Sequence, residues 1–103
     1  MLYCKLVRDN IPEIIKANEK RAFTYVLSDN EYEVFLNRKL DEEIREYHES
    51  KDIEELADIL EVITSIAKLK GCDFADLINI KEQKAKSKGG FSKKIFLVAV
   101  SDN

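Results

Sequence analysis

The chain of 103 residues has the length of one domain, so we expect a single domain over residues 1–103. A charged fraction of 36%, with only three Gly and one Pro, favours long helices over a β-sandwich or barrel. The net charge of −3 gives no general attraction for nucleic acid, and we expect no specific nucleic-acid binding.

The N-terminal part of the chain predicts one short helix and one short strand. Asn10 stands before Pro12, a proline in the first helical turn, and this start predicts a helix that continues to about Asn18. Residues 23–27 (FTYVL) are rich in β-branched and aromatic side chains, which favour a strand.

Two long helices are expected next. Ser28 and Glu31 have the spacing of a capping box, which predicts a helix that continues to about Glu49. Asp52 marks a third start, and its helix should end at Gly71, because glycine readily adopts the conformation that follows a helix. A very short turn between these helices makes them antiparallel neighbours.

The C-terminal part predicts a fourth helix and a final strand. Asp73 caps a helix that runs to about Lys88 and is broken by two glycines. Residues 95–100 (IFLVAV) favour a strand that pairs with residues 23–27. The expected fold is therefore mainly α and four-helix-bundle-like, with at most a small β element.

No feature of the sequence predicts secretion or membrane insertion. The first ten residues, MLYCKLVRDN, lack the apolar region of a signal peptide, and no apolar run approaches membrane-spanning length. Cys4 and Cys72 form neither a metal-binding motif nor a disulfide framework. We expect a soluble protein of the reducing cytoplasm, without membrane contact.

Residues 41–61 carry ten acidic residues against two basic ones, and four of the acids form two pairs with i,i+3 spacing. Glu43 and Glu46 form the first pair, and Glu55 and Asp58 form the second. The pairs are mirror-symmetric about the Ser50–Lys51 bond. Two helices that fold back at this bond would therefore bring all four carboxylates to about the same level.

The positions of these acids predict a metal site. Glu43 continues the apolar stripe of its helix and Asp58 begins that of the next, so both should point inward. Inward carboxylates without basic partners on the same helices are costly unless a cation compensates them. We expect Mg²⁺, which prefers oxygen ligands, with Mn²⁺ as an alternative ion. The other interpretation is a solvated acidic face.

A basic segment follows the acidic one. Residues 81–94 hold six lysines against Glu82. An acidic and a basic patch in one small domain suit a complex of magnesium with a polyphosphate. The candidate phosphate-binding residues in this segment are Lys84, Lys88 and Lys93.

Three motifs together resemble a known superfamily. EEIRE at Glu42–Glu46, followed by ELAD at Glu55–Asp58, resembles the ExxE…ExxD signature of the all-α nucleoside triphosphate (NTP) pyrophosphatases. This superfamily includes MazG, the dimeric dUTPases and phosphoribosyl-ATP pyrophosphohydrolase. KLVRDNIPEII at Lys5–Ile15 and KGGFSKKIFL at Lys88–Leu97 resemble the small MazG-like group of predicted house-cleaning enzymes. Only eight residues separate Glu46 from Glu55, fewer than in typical MazG domains, so the rim of the pocket should differ.

The resemblance implies an enzyme that hydrolyses the α–β phosphoanhydride of an NTP to a monophosphate and pyrophosphate. It implies that Glu43, Glu46, Glu55 and Asp58 are catalytic and hold Mg²⁺, and Glu46 is the candidate general base. Lys5 and Arg8 lie in the matching N-terminal segment and are further candidates for phosphate binding, although Arg8 could instead form a surface ion pair with Asp9.

The resemblance also implies a homo-oligomer, a dimer or a tetramer. The expected substrates are non-canonical NTPs, as in house-cleaning. The alternatives are phosphoribosyl-ATP pyrophosphohydrolase activity and a non-catalytic helical interaction module.

Overall fold

The computed structural model describes residues 2–102, which form four helices and no strand. The mainly α prediction is confirmed. Met1 and Asn103, the ends of the predicted domain, lie outside the described residues. Between residues 2 and 102, no helix combines the length and the apolar character needed to cross a membrane. The helices are α1 (Ile11–Ala17), α2 (Asp29–Ser50), α3 (Ile53–Leu69) and α4 (Phe74–Lys88).

Capping boxes open α2 and α4, as the sequence predicts for α2. The backbone N–H of Glu31 donates to Ser28 Oγ at 3.2 Å, and the N–H of Ser28 donates to Glu31 Oε1 at 3.0 Å. The N–H of Asp76 donates to Asp73 Oδ1 at 2.8 Å in the corresponding turn of α4. These bonds satisfy N–H groups that have no partner inside the helix, and they fix where α2 and α4 begin.

Residues with positive φ end three of the helices. Lys51 has φ 61° and closes α2, so that the chain reverses within two residues into α3. Gly71 follows α3 with φ 82°, and Gly89 ends α4 with φ 85°. Glycine has no Cβ atom that could clash with the backbone at positive φ, which explains both glycines at helix ends.

The core lies between α2 and α3, which form an antiparallel hairpin. Leu36 of α2 is 3% exposed, and Val62 and Ala67 of α3 are also buried. The predicted inward stripe of α2 is confirmed, because Leu36 and Glu43 are buried and Leu40 between them is half-buried. Helix α4 packs on α3, and the whole chain measures 66 × 32 × 22 Å.

The predicted strand pair does not form within the chain. Residues 23–27 and residues 95–100 are irregular, and across residues 2–102 no backbone hydrogen bond joins either segment to the other. Strand propensity describes a tendency to pack beside a neighbouring strand, and the sequence does not say which neighbour that is.

Candidate metal centre at the α2–α3 hairpin

Three carboxylates converge where α2 faces α3. Glu43 comes from α2, and Glu55 and Asp58 come from consecutive turns of α3. One carboxylate oxygen from each residue lies within 4.8 Å of the other two. We refer to these three residues as the carboxylate trio. The i,i+3 spacing of Glu55 and Asp58 places both on the face of α3 that meets Glu43.

Glu43 is the buried member of the trio. The residue is 7% exposed, and its Oε1 lies 3.4 Å from Lys39 Nζ. Its Oε2 is buried and has no hydrogen-bond partner among residues 2–102. A buried carboxylate oxygen without a partner is destabilising unless a proton or a cation compensates it. Glu43 Oε2 therefore has an unmet requirement for a proton or a cation.

Two pKa shifts show the same excess of negative charge. Burial raises the pKa of Glu43 above its ordinary value of 4.5, and contact with the Glu46 carboxyl raises it further, while Lys39 opposes the change. Partial burial also raises the pKa of Glu55, and the charges of Asp58 and Glu43 add to this effect. Both groups thus favour a bound positive charge, whether proton or metal ion.

Glu46 lies beside the trio rather than within it. It is half-buried, and its carboxyl is close enough to Glu43 to raise the pKa of that residue. It stands one helical turn nearer the hairpin turn than Glu43. Of the four carboxylates that the sequence predicts to converge, three do so, and the fourth is a neighbour of the most buried one.

Lys39 is a nearby cation that the sequence analysis missed. Its Nζ lies 3.4 Å from Glu43 Oε1 and 3.3 Å from Glu42 Oε2, and its side chain is mostly buried. The premise that the inward carboxylates have no basic partner on their own helix is therefore wrong. The i,i+3 and i,i+4 spacings from Lys39 to Glu42 and Glu43 are the signals that could have revealed it.

The N-terminal segment brings two more cations to an acidic cluster that consists of the trio with Glu42, Glu46 and Glu61. Arg8 Nη2 lies 2.8 Å from Asp58 Oδ1, and Arg8 Nη1 lies 4.0 Å from Glu61 Oε1. Lys5 Nζ lies 3.1 Å from Glu42 Oε1. The structure thus brings Lys5 and Arg8 to the acidic cluster, and Arg8 pairs with Asp58 instead of Asp9.

The lysines of the basic segment lie apart from this cluster. Lys84, Lys88 and Lys93 are exposed, and within residues 2–102 none of them forms an ion pair. Their predicted contact with phosphate stays a prediction, because no ion pair within residues 2–102 links these lysines to the trio.

An open apolar groove begins one helical turn from the trio. It has a volume of about 380 Å³ and is lined mainly by apolar side chains of α2, α3 and the start of α4. Leu40, three residues before Glu43, lies at the end nearer the trio, and Leu77 contributes from α4. The volume falls within the usual range of small-molecule sites, about 300–1,000 Å³.

Comparisons with known proteins leave the family open. No family model matches the chain, and no solved structure matches it. An uncharacterised protein of Mycolicibacterium smegmatis is 50% identical over 42 residues, which are 41% of this chain and 43% of that protein. The chain therefore spans less than half the length of the relative that it matches.

Proposed function

We propose that the chain is a Mg²⁺-dependent nucleoside triphosphate pyrophosphohydrolase, which cleaves the α–β phosphoanhydride to give a monophosphate and pyrophosphate. The observation that carries this proposal is the carboxylate of Glu43, which lies close to two further carboxylates and whose buried Oε2 has no partner within residues 2–102. The resemblance of the ExxE…ExxD pattern to the all-α NTP pyrophosphatases supports the same activity.

The donor set of the trio fits a hard divalent cation. All three groups offer oxygen, and no His or Cys belongs to the cluster. Mg²⁺ binds through a few carboxylates and keeps other positions for water and phosphate oxygens. The trio would hold Mg²⁺, with Mn²⁺ as an alternative. The positive charge of the ion would compensate the unpartnered Oε2 of Glu43.

The bound ion would supply polarisation of the phosphoryl oxygens. Glu46, which lies outside the trio, would take the proton of the attacking water as that water adds to the α-phosphorus. The electron pair of the broken P–O bond would leave with pyrophosphate. Arg8, which pairs with Asp58, would also donate to a phosphate oxygen of the substrate. Lys5, which pairs with Glu42 next to Glu43, would help to neutralise the negative charge of the triphosphate.

The apolar groove offers a place for the nucleoside. A triphosphate at the trio would extend its base toward Leu40 and the groove beyond it, where apolar contacts distinguish bases weakly. An apolar groove would admit several modified bases, and its polar lining residues, Asn37 and Lys70, would have to exclude the canonical ones. Following the resemblance, we propose house-cleaning of non-canonical NTPs as the biological role.

Product analysis with and without metal tests the activity. The protein is incubated with canonical and modified NTPs and dNTPs, in Mg²⁺ or in EDTA. Chromatography then separates the products, so that no metal-requiring coupling enzyme is needed. We expect monophosphate and pyrophosphate in equal amounts with Mg²⁺ and none with EDTA. No hydrolysis of any nucleotide would contradict the proposal and favour an interaction module.

A matched pair of variants distinguishes the trio from general acidity. Glu55→Gln removes a member of the trio, whereas Glu54→Gln removes an exposed carboxylate from the preceding position of the same helix. We expect Glu55→Gln to lower kcat at least about a hundredfold, as loss of a group that acts in the transition state does, and Glu54→Gln to leave it unchanged. Equal effects of the two variants would refute the assignment.

A further inference from the structure

The isolated chain exposes far more surface than a folded protein of its size. Its accessible area is 9561 Å², whereas a compact protein of 11.9 kDa exposes about 6,000 Å². Its radius of gyration is 18.5 Å, against about 13 Å for a compact chain of this length. The excess of about 3,500 Å² is larger than one subunit contributes to most obligate dimer interfaces.

Much of this excess lies on two extended apolar segments. In residues 95–100, the five large apolar side chains are 73–86% exposed. In residues 22–27, Phe23, Tyr25 and Val26 are 75–97% exposed. A continuous apolar run of this length is typical of a strand that is covered on both faces, and within residues 2–102 neither segment forms a backbone hydrogen bond with another strand.

The charges at the ends of the two segments fit an antiparallel alignment. When residue 22 stands opposite residue 100, Lys20 stands opposite Asp102, a pair of opposite charge. The parallel alignment places Lys20 against Lys93 and Arg21 against Lys94, both of like charge. Opposite charges across strands are favourable and like charges are unfavourable.

We propose that residues 95–100 of one copy add as an antiparallel strand to residues 22–27 of a second copy. Each copy carries both segments, so the exchange is reciprocal and produces a twofold dimer with two identical strand pairs. Backbone hydrogen bonds would hold the strands together, and apolar side chains of the two strands would contact one another across the pair. The sequence predicts a homo-oligomer without saying which surfaces associate. This proposal identifies them as residues 22–27 and 95–100.

Cross-linking between two single-cysteine chains tests this arrangement. Both chains carry Cys4→Ser and Cys72→Ser, so that the introduced cysteine is the only thiol. One chain carries Ala22→Cys, and the other carries Val100→Cys and a size tag. Opposite residues in an antiparallel pair have Cα atoms about 4.5–5.5 Å apart, which is within the reach of a disulfide. We expect a mixed disulfide dimer on a non-reducing gel after mild oxidation.

The parallel alignment supplies the matched control. Ile95→Cys replaces Val100→Cys in the tagged chain and should give at least about tenfold less mixed dimer, because residue 95 lies at the far end of the antiparallel pair. Light scattering of the wild type should give a mass of two chains or a multiple of two. A monomeric wild type, or equal cross-linking of Ile95→Cys and Val100→Cys, would overturn the proposal.

Discussion

Replacing Glu43 by Gln should stabilise the metal-free protein. The substitution keeps the volume of the side chain and leaves an amide oxygen to accept from Lys39, but it removes the buried negative charge. Glu43 Oε2 has no partner within residues 2–102, and the Glu43 carboxylate lies close to those of Glu55 and Asp58. The charged form is therefore the less favourable occupant of this position when no cation is bound.

The size of the effect follows from burial and from the Lys39 contact. An unsatisfied buried polar group lowers stability by about 1–3 kcal/mol. The weakened ion pair with Lys39 offsets about 0.5 kcal/mol of the gain, since i,i+4 pairs contribute little. The net increase in the free energy of unfolding is about 0.5–2.5 kcal/mol, and a change of 1 kcal/mol shifts Tm by about 4–8 °C in a domain of this size.

Thermal unfolding in EDTA, at one protein concentration, measures this difference. Glu33→Gln is the control, because Glu33 is an exposed residue of the same helix and pairs with Lys70 at 3.7 Å. Its effect should stay within about 0.5 kcal/mol. Mg²⁺ should then raise the Tm of the wild type and leave that of Glu43→Gln unchanged, because the ion binds only the folded trio. A Glu43→Gln protein that melts below the wild type in EDTA would refute the reasoning.

Three further predictions concern the N-terminal cation, a helix cap and the core. Arg8→Gln should raise KM about tenfold with a smaller change in kcat, because the pair with Asp58 places Arg8 at the edge of the trio. Lys16→Gln is the control, and steady-state kinetics in which both variants behave alike would count against a role for Arg8. Glu31→Gln should lower thermal stability at pH 7, because hydrogen bonds from the cap hold the pKa of Glu31 below its ordinary value of 4.5. That stability is present above pH 4.5 and is lost as the pH falls through the lowered pKa, so the gap in Tm should close in acid; a gap that is constant with pH would contradict the assignment. Leu36→Ala should lower the free energy of unfolding by about 2–5 kcal/mol in a denaturant titration, since Leu36 is the most buried apolar residue described. A loss below about 1 kcal/mol would show that the core lies elsewhere.

The helices could be predicted because their ends are determined locally. The capping box of Ser28 and Glu31 and the positive φ of Gly71 each depend on a few adjacent residues. The inward position of Glu43 also follows from a local pattern, the helical stripe that contains Leu36. These features needed no knowledge of distant contacts.

The details of the site could not be predicted from the symmetry of the sequence. Symmetry about the Ser50–Lys51 bond places four carboxylates at one level, but the structure brings Glu43 to both acids of α3 and leaves Glu46 one turn away. The missing information is the rotation of each helix about its own axis, which core packing determines. The position of Lys39 is different, because its i,i+4 spacing from Glu43 is a local signal that the sequence does contain.

Direct metal binding is the measurement that tests the central claim most directly. Mn²⁺ is titrated into the wild type, Glu43→Gln and Glu54→Gln, and the free ion is followed by electron paramagnetic resonance. If the trio holds a metal ion, Mn²⁺ binds the wild type saturably and Mg²⁺ displaces it. The affinity for Mn²⁺ should be at least about tenfold lower in Glu43→Gln and unchanged in Glu54→Gln. Equal binding by all three proteins, or no saturable binding to the wild type, would contradict the assignment of a metal centre to Glu43, Glu55 and Asp58.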